Sequence, residues 1–147
     1  MIFDHQHYVP CLRWKQGEYQ AILHLFDTSK DYITPLIEVP EIGFDFEFQT
    51  PAKSLDDHLS LFIKRVKPKW DSRLCFVDLR LISQADRMAD KSHPLTFIFN
   101  RLRSQGCQAI PVTGLNRDIY YQKATRQAMF EDGRGAVSYT HLRAHET

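Results

Sequence analysis

Residues 8–22 read YVPCLRWKQGEYQAI, and the spacing of the apolar residues changes halfway along this stretch. The first part, about Tyr8 to Arg13, is a short apolar run that is typical of a buried strand. From Glu18 onward the apolar residues recur every three or four positions, which predicts the apolar stripe of a helix. That stripe consists of Tyr19, Ile22, Leu23 and Phe26. The stretch therefore predicts a strand followed by a helix, with a charged Arg-Trp-Lys sequence at the junction.

The same order of strand and helix recurs three more times. The later strands are predicted at about Ile33–Val39, Leu74–Leu81 and Ala109–Thr113. The helices that follow them carry apolar stripes: Leu55, Leu59, Phe62, Ile63 and Val66; Leu95, Ile98, Phe99 and Leu102; Tyr120, Tyr121, Ala124 and Ala128. Short Val-, Ile- and Leu-rich strands separated by helices predict an α/β fold of parallel strands with right-handed crossovers. Pro35 and Pro111 do not fit these strand predictions, because proline has no backbone N–H to donate to a neighbouring strand.

Several residues mark where the helices begin and end. Ser54 with Asp57 three positions later predicts a capped start of the second helix, and Pro68 predicts its end. Pro94 suits the first turn of the third helix, and Gly106 suits its carboxyl end. The fourth helix is predicted to close at Gly133, after which a fifth strand is expected.

The loops between these elements are unequal in length. The loops EIGFDFEFQTPAK (41–53) and SQADRMADKSH (83–93), which lead from a strand to a helix, are much longer than those leading from a helix to a strand. In parallel α/β folds all strand-to-helix loops leave the same edge of the sheet, where binding sites are built. The asymmetry predicts a functional face there.

Composition excludes some classes of protein. The 147 residues are 43% hydrophobic and 25% charged, which is typical of one globular domain. A net charge of +1 gives no overall indication of nucleic-acid binding. No apolar run reaches the roughly 18 residues of a membrane span and no signal peptide is visible, so we expect a cytoplasmic protein without a membrane partner. The cysteines Cys11, Cys75 and Cys107 are widely spaced and lie in or beside apolar runs, so each is expected to be a free, buried hydrophobic residue.

Residues Val137–Thr147 read VSYTHLRAHET and resemble the translation of a sequencing adapter. We therefore expect residues 137–147 to be a non-native tail, and residues 1–136 to carry the domain. A metal site at His141 and His145 is rejected for the same reason.

Four motifs resemble the phage and bacterial family called beta protein: YVPCLRWKQGEYQAI, ITPLIEVPEI, CFVDLRLI and HPLTFIFNRLRSQGCQAIPVTGLNRDIYYQKAT. Together they cover almost all of residues 8–130. The resemblance implies a TIM-barrel-like chain more than twice this length, encoded in phages, prophages or bacterial mobile regions. The predicted fold is then a partial TIM-barrel-like α/β domain of about four βα units. The family brings no established activity, and many members carry Lys at the position of Arg13.

Polar residues lie at or just beyond the predicted strand ends: Arg13, Lys15, Glu38, Asp78, Arg80, Thr113 and Asn116. Parallel strands would gather them at a single rim. Glu38 and Asp78, on adjacent strands, could hold a divalent metal while Arg13 or Lys15 meets a phosphate, with the other polar residues binding ligand. The alternative is that Glu38 pairs with Arg13, and Asp78 with Arg80 or Lys15, as structural ion pairs.

Two functions are compatible with these residues. One is an interaction or phage–host conflict protein whose partner is a host or phage protein. The other is a metal-dependent phosphodiesterase or nuclease-like hydrolase that uses Glu38, Asp78 and Arg13. Phe44, Phe46 and Phe48 form an alternating aromatic face that either lines a pocket or packs as a lid. The basic run at Lys64, Arg65, Lys67 and Lys69 is interpreted as a solvated helix face.

Overall fold

The computed structural model describes residues 7–45, 47, 50, 51 and 53–138. Helices and strands follow in the order β1 Cys11–Arg13, α1 Gln16–Leu23, α2 Asp27–Lys30, β2 Leu36–Glu38, β3 Phe44–Asp45, β4 Thr50–Pro51, α3 Leu55–Trp70, β5 Cys75–Asp78, α4 Pro94–Ser104, β6 Ala109–Thr113, α5 Ile119–Asp132 and β7 Val137–Ser138. The predicted aromatic face lies mostly outside this range, because Phe46 and Phe48 are not among the described residues.

The described strands form one parallel five-stranded sheet, in the order β1-β2-β5-β6-β7, and one antiparallel pair, β3 with β4. In the large sheet each strand lies beside the one that precedes it, as successive strands do in a (β/α) barrel. The prediction of an α/β fold built from parallel strand–helix units is therefore confirmed. Closure into a barrel remains a prediction.

Alternation along the strands gives the sheet two different faces. Ile37, Val77 and Ala109 belong to the large core that the helices cover. Leu36 and Phe76 point to the opposite face, where they form a smaller buried cluster with Ile110 and Val112. Each side chain at a strand end therefore lies either on the helix-covered face or on the opposite face, which we call the inner face.

Two aromatic residues predicted in helix stripes lie elsewhere. Phe26 is 81% exposed, because α1 ends at Leu23 and a separate short helix, α2, begins after Phe26. Tyr120 is also exposed, whereas its neighbour Tyr121 is buried against the core. Both predictions were wrong because spacing alone does not fix where a helix ends or which of two adjacent rings faces inward.

The predicted end of α3 at Pro68 is also wrong. The helix continues through Pro68 to Trp70, and the residue that caps its carboxyl end, Asp71, has a φ of 63°. Trp70 is buried, and its indole N–H donates to the Leu74 carbonyl at 3.0 Å. Burial of this ring stabilises the last turn and outweighs the local preference of proline.

The predicted helix boundaries at Ser54, Gly106 and Gly133 are confirmed. Ser54 Oγ accepts a hydrogen bond from Asp57 N at 3.2 Å, which caps α3. Gly106 and Gly133 adopt positive φ angles just beyond α4 and α5, a conformation that favours glycine. Local signals were sufficient at these positions because each cap satisfies backbone groups within its own turn.

The strand prolines and the last strand follow from the register. Pro111 lies in the middle of β6 beside Val77, and Pro35 directly precedes β2, where its carbonyl accepts a hydrogen bond from Phe76 N. The fifth strand, Val137–Ser138, pairs with β6 and consists of the first two residues of the predicted tail. The origin of that tail remains a prediction.

Cys75 and Cys107 are free and buried, as expected. Cys11 is exposed, so its expected burial was wrong. Burial raises the pKa of the Cys75 thiol to about 12, so this thiol stays protonated at neutral pH. In the part of the chain that the structure describes, no helix combines the length and the apolar character needed to cross a membrane.

Candidate functional site

The carboxyl ends of β1, β2 and β5 bring three of the predicted site residues into one row. Arg13 lies beside Glu38, and Glu38 lies beside Asp78 in the parallel register. Adjacent strands are roughly 4.8 Å apart, so the three side chains start from neighbouring positions on the inner face. Glu38 and Asp78 are both buried. The predicted convergence therefore occurs for these three of the seven residues.

The junction after β1 separates its three residues because the chain turns sharply there. Lys15 N donates to the Arg13 carbonyl at 2.7 Å, which closes a tight turn. Arg13 is on the inner-face row, and Trp14 is buried in the helix-covered core beside Tyr19. Lys15 is exposed at the start of α1. The three residues of the Arg-Trp-Lys sequence therefore lie in three different environments.

Asp78 forms a buried ion pair with Arg117 of the loop between β6 and α5. Arg117 Nη1 and Nη2 donate to the two carboxylate oxygens of Asp78 at 2.8 and 3.2 Å. Asp78 is fully buried, and the Arg117 side chain is only 8% exposed. Burial alone would lower the pKa of Arg117, but its hydrogen bond to Asp78 and the Asp78 charge raise it above its ordinary value, so the guanidinium remains charged.

Tyr121 at the start of α5 completes this buried arrangement. The Arg117 guanidinium lies over the Tyr121 ring, 4.9 Å from its centre. The Tyr121 hydroxyl donates to the Val112 carbonyl at 2.7 Å and accepts from Leu79 N at 3.4 Å. Burial, and secondarily the nearby Asp78 charge, raises the pKa of Tyr121, so the hydroxyl stays protonated and links β5, β6 and α5.

Glu38 is held by a different arginine. Arg80 Nε lies 2.6 Å from Glu38 Oε2, although among the described residues no hydrogen bond of good geometry reaches that oxygen. Arg13 instead faces Glu41, with 3.8 Å between Nη1 and Oε1. The predicted pairing of the carboxylates with arginines therefore occurs, but the partners differ from those named in the sequence analysis.

Thr113 and Asn116 lie apart from the row. Thr113 is on the helix-covered side of β6, where its hydroxyl donates to Gln122 Oε1 at 2.9 Å. Asn116 is exposed in the turn after β6. The geometry brings together Arg13, Glu38, Asp78 and Arg80 but leaves Lys15, Thr113 and Asn116 outside this group.

The family comparison agrees with the motif resemblance. The sequence profile of the Beta protein family matches residues 8–144. The chain belongs to the Beta protein family. No curated protein and no solved structure matches it. The family match also extends over most of the tail predicted from Val137 onward, so the origin of these residues stays a prediction.

Sequence reasoning missed two residues at this Beta protein site. Arg117 follows Asn116 directly, and Tyr121 had been assigned only to a core stripe. The cluster Asn116-Arg117-Asp118 after a buried strand is the sole sequence signal for a polar contact there. Which of its side chains turns inward depends on the loop from Gly114 to Asp118, which no periodicity predicts.

The capacity of this site for metal is limited by the arginines. Among the described residues, no group of three or more His, Cys, Asp or Glu side chains is arranged to hold a metal ion. A divalent cation bound to Glu38 and Asp78 would have to displace Arg80 and Arg117 or sit beside their positive charges. The geometry therefore favours the ion-pair alternative, and the metal site remains a prediction.

His93, at the start of α4, should make the stability of the fold depend on pH. His93 Nδ1 accepts a hydrogen bond from Leu95 N at 3.1 Å and so caps the helix. Burial, and then the nearby Arg87 charge, lower the pKa of His93 below its ordinary value of 6.5, while Asp118 opposes them. The unfolded chain therefore takes up a proton first as the pH falls, and the contribution of His93 to stability is lost below about pH 6.5.

We expect His93→Asn to retain a capping acceptor but to lack this titration. Between about pH 7.5 and 5.5, the melting temperature of the wild type should fall more than that of the variant, as measured by circular dichroism. The remaining histidines are present in both proteins and cancel in the comparison. Equal pH dependence of the two proteins would contradict the assignment.

Proposed function

We propose that this member of the Beta protein family is an interaction protein of a phage, prophage or bacterial mobile element, and that its strand-end rim binds a host or phage protein. A cytoplasmic location belongs to the same proposal. The observation that carries it is that both buried carboxylates of the rim are occupied by arginines. In this arrangement each carboxylate lies beside a guanidinium group, so a metal would have to compete with an arginine.

The positioned arginines support a binding role. The side chains of Arg80 and Arg13 are 34% and 47% exposed at the rim while Glu38 and Glu41 lie against them. Arginines held in place lose less conformational entropy on binding than free ones, and arginine is enriched among the residues that dominate protein interfaces. Such groups suit a partner with acidic side chains.

Exposed apolar residues on the same side of the fold support a protein partner. Leu115 is 93% exposed in the turn after β6, and Ile119 and Tyr120 at the start of α5 are more than half exposed. The Arg87 guanidinium lies 5.5 Å from the centre of the Tyr120 ring. Clustered aromatic, aliphatic and arginine side chains are the composition of an interface core.

The adjacency of Glu38 and Asp78 favours the second candidate, a metal-dependent phosphodiesterase or nuclease-like hydrolase. Thermal unfolding with and without Mg²⁺ or Mn²⁺ separates the two functions, using the wild type and Glu38→Gln. Under our proposal neither metal changes the melting temperature of either protein. A metal-dependent rise in the wild type that is lost in Glu38→Gln would overturn the proposal in favour of the hydrolase.

Partner binding itself can be tested with a matched pair of exposed residues. Leu115 lies at the rim, whereas Phe130 is 88% exposed near the other end of α5. In affinity capture from cells of a bacterial host followed by mass spectrometry, Leu115→Ser should lose proteins that the wild type and Phe130→Ser retain. Capture that is unaffected by Leu115→Ser would place the interaction elsewhere and contradict the proposal.

A further inference from the structure

A cavity of about 290 Å³ lies beside the starts of α1 and α3, outside the row of ion pairs. We call it the α1–α3 cavity. Its lining includes Trp14 and Lys15 after β1, Lys53 before α3, and His58 and Arg65 on α3. It is therefore built at the carboxyl ends of β1 and β2, on the side of the sheet where strand-to-helix loops create sites.

The charged side chains that the described residues contribute to this cavity are all cationic. Lys15, Lys53 and Arg65 are exposed cations, and none of the described lining residues is acidic. Within the described part of the chain none of the three forms an ion pair. Arg65 lies over the Tyr19 ring, 5.8 Å from its centre, and this contact holds the guanidinium beside the cavity. Three unneutralised cations around a concave surface attract an anion.

The beginning of α1 adds to this positive potential. Lys15 occupies the N-cap position, and α1 has no side-chain cap. Serine, threonine, aspartate and asparagine are preferred there because they satisfy the free N–H groups of the first turn. A lysine instead places positive charge at the positive end of the helix dipole, and Glu18 is the acidic residue of that first turn. An anion near Lys15 would complement both the lysine and the dipole.

Trp14 supplies an independent observation at the cavity wall. Its side chain is 96% buried, since only 4% of its surface is exposed. Its indole N–H is also buried, and no described residue accepts a hydrogen bond from it. Trp70, by contrast, donates to the Leu74 carbonyl. A buried donor without a partner is uncommon in a folded protein, and the residue that carries it lines the same cavity as the three cations.

We propose that the α1–α3 cavity binds the phosphate group of a small phosphorylated molecule. The volume is at the small end of ligand pockets, which fits a phosphate or diphosphate with a short attachment. Arg65 offers the planar donor pair that matches phosphate oxygens, and the lysines contribute point charges. His58 has a positioning role, because its Nε2–H donates to the Pro40 carbonyl at 2.5 Å and links α3 to the end of β2.

Isothermal titration calorimetry of the full chain with inorganic pyrophosphate tests the proposal. We expect saturable binding at one site. Lys53→Gln and Arg65→Gln should each weaken it about tenfold or more, since each removes a charge-assisted contact. Lys123→Gln and Arg126→Gln, which change exposed cations of α5, serve as matched controls and should leave the affinity unchanged.

Three results would overturn the proposal. The first is the absence of saturable binding. The second is equal weakening by the α5 controls, which would indicate diffuse attraction. The third is tighter binding of a short single-stranded oligonucleotide, which would indicate that the cavity belongs to a surface for the phosphate backbone of a nucleic acid. Lys64 lines a separate basic cavity with Lys67 and Arg101 between α3 and α4. If oligonucleotide binds more tightly than pyrophosphate and Lys64→Gln weakens it as much as Lys53→Gln, the ligand is an extended polyanion.

Discussion

Asp78→Asn is expected to lower the free energy of unfolding by about 3 kcal/mol, because it leaves the charge of Arg117 buried without a countercharge. The Arg117 side chain is 8% exposed, so water cannot replace the lost carboxylate. Asparagine has nearly the shape of aspartate and can still accept the hydrogen bond that Arg80 N donates to Asp78 Oδ1 at 3.0 Å. The loss therefore reports mainly on charge. Urea unfolding followed by circular dichroism measures it.

A matched control for this substitution is present on the surface. Asp31 accepts from Arg73 Nη1 at 2.7 Å, a contact as short as that of Asp78, but Asp31 is 66% exposed. Asp31→Asn should cost about 1 kcal/mol or less, since solvent screens exposed pairs. The double variant Asp78→Asn/Arg117→Met should lose less than the sum of its single variants, because it also removes the unpaired charge. Similar small losses for Asp78→Asn and Asp31→Asn would contradict the proposed role of burial.

Phe99→Ala is expected to lower the free energy of unfolding by about 3–5 kcal/mol through loss of buried apolar surface and creation of a cavity. Phe99 is 1% exposed in the large core. It borders the same small crevice between α4 and α5 as Ala124 and Ala128, whose short side chains leave room for the ring. Because these neighbouring side chains are short, they cannot move in to fill the cavity that alanine would leave.

Phe97 provides the control on the same helix. It is only partly buried, and the Arg101 guanidinium lies 4.8 Å from the centre of its ring. Phe97→Ala removes the same atoms as Phe99→Ala but from a position that solvent already reaches, so the loss should be clearly smaller. Urea unfolding of both variants measures the difference. Equal losses would show that α4 is packed differently from the arrangement described.

Of these two predictions, the sequence alone indicated the burial of Phe99 but not the ion pair of Asp78 with Arg117. Phe99 was assigned to the core from the spacing of Leu95, Ile98, Phe99 and Leu102, and all four are buried. The inward face of a helix follows from a repeat that a few consecutive residues display. Arg117 gave no comparable signal, because its partner Asp78 lies 39 positions earlier in the chain.

The candidate site divides in the same way. The row of Arg13, Glu38 and Asp78 was predicted because parallel strands end at one edge of a sheet. The choice of arginine for each carboxylate was not predicted, since Arg80 and Arg117 lie on loops whose paths depend on packing against Tyr121 and neighbouring strands. The α1–α3 cavity likewise joins Lys15, Lys53 and Arg65, which no local pattern connects.

The amino-acid sequence by itself determined the parallel α/β class, the extent of β6 at Ala109–Thr113, the caps at Ser54 and Gly133, and the family to which the chain belongs. The strands, helices and caps depend on hydrogen bonding and apolar spacing within a few residues, whereas the family is recognised from motifs over residues 8–144. Only the tertiary structure decided that α3 continues past Pro68 and that Phe26 faces solvent. It also decided that Arg117 neutralises Asp78. The reason is physical: these outcomes depend on which distant groups exclude water from a side chain, and sequence neighbours carry little information about that.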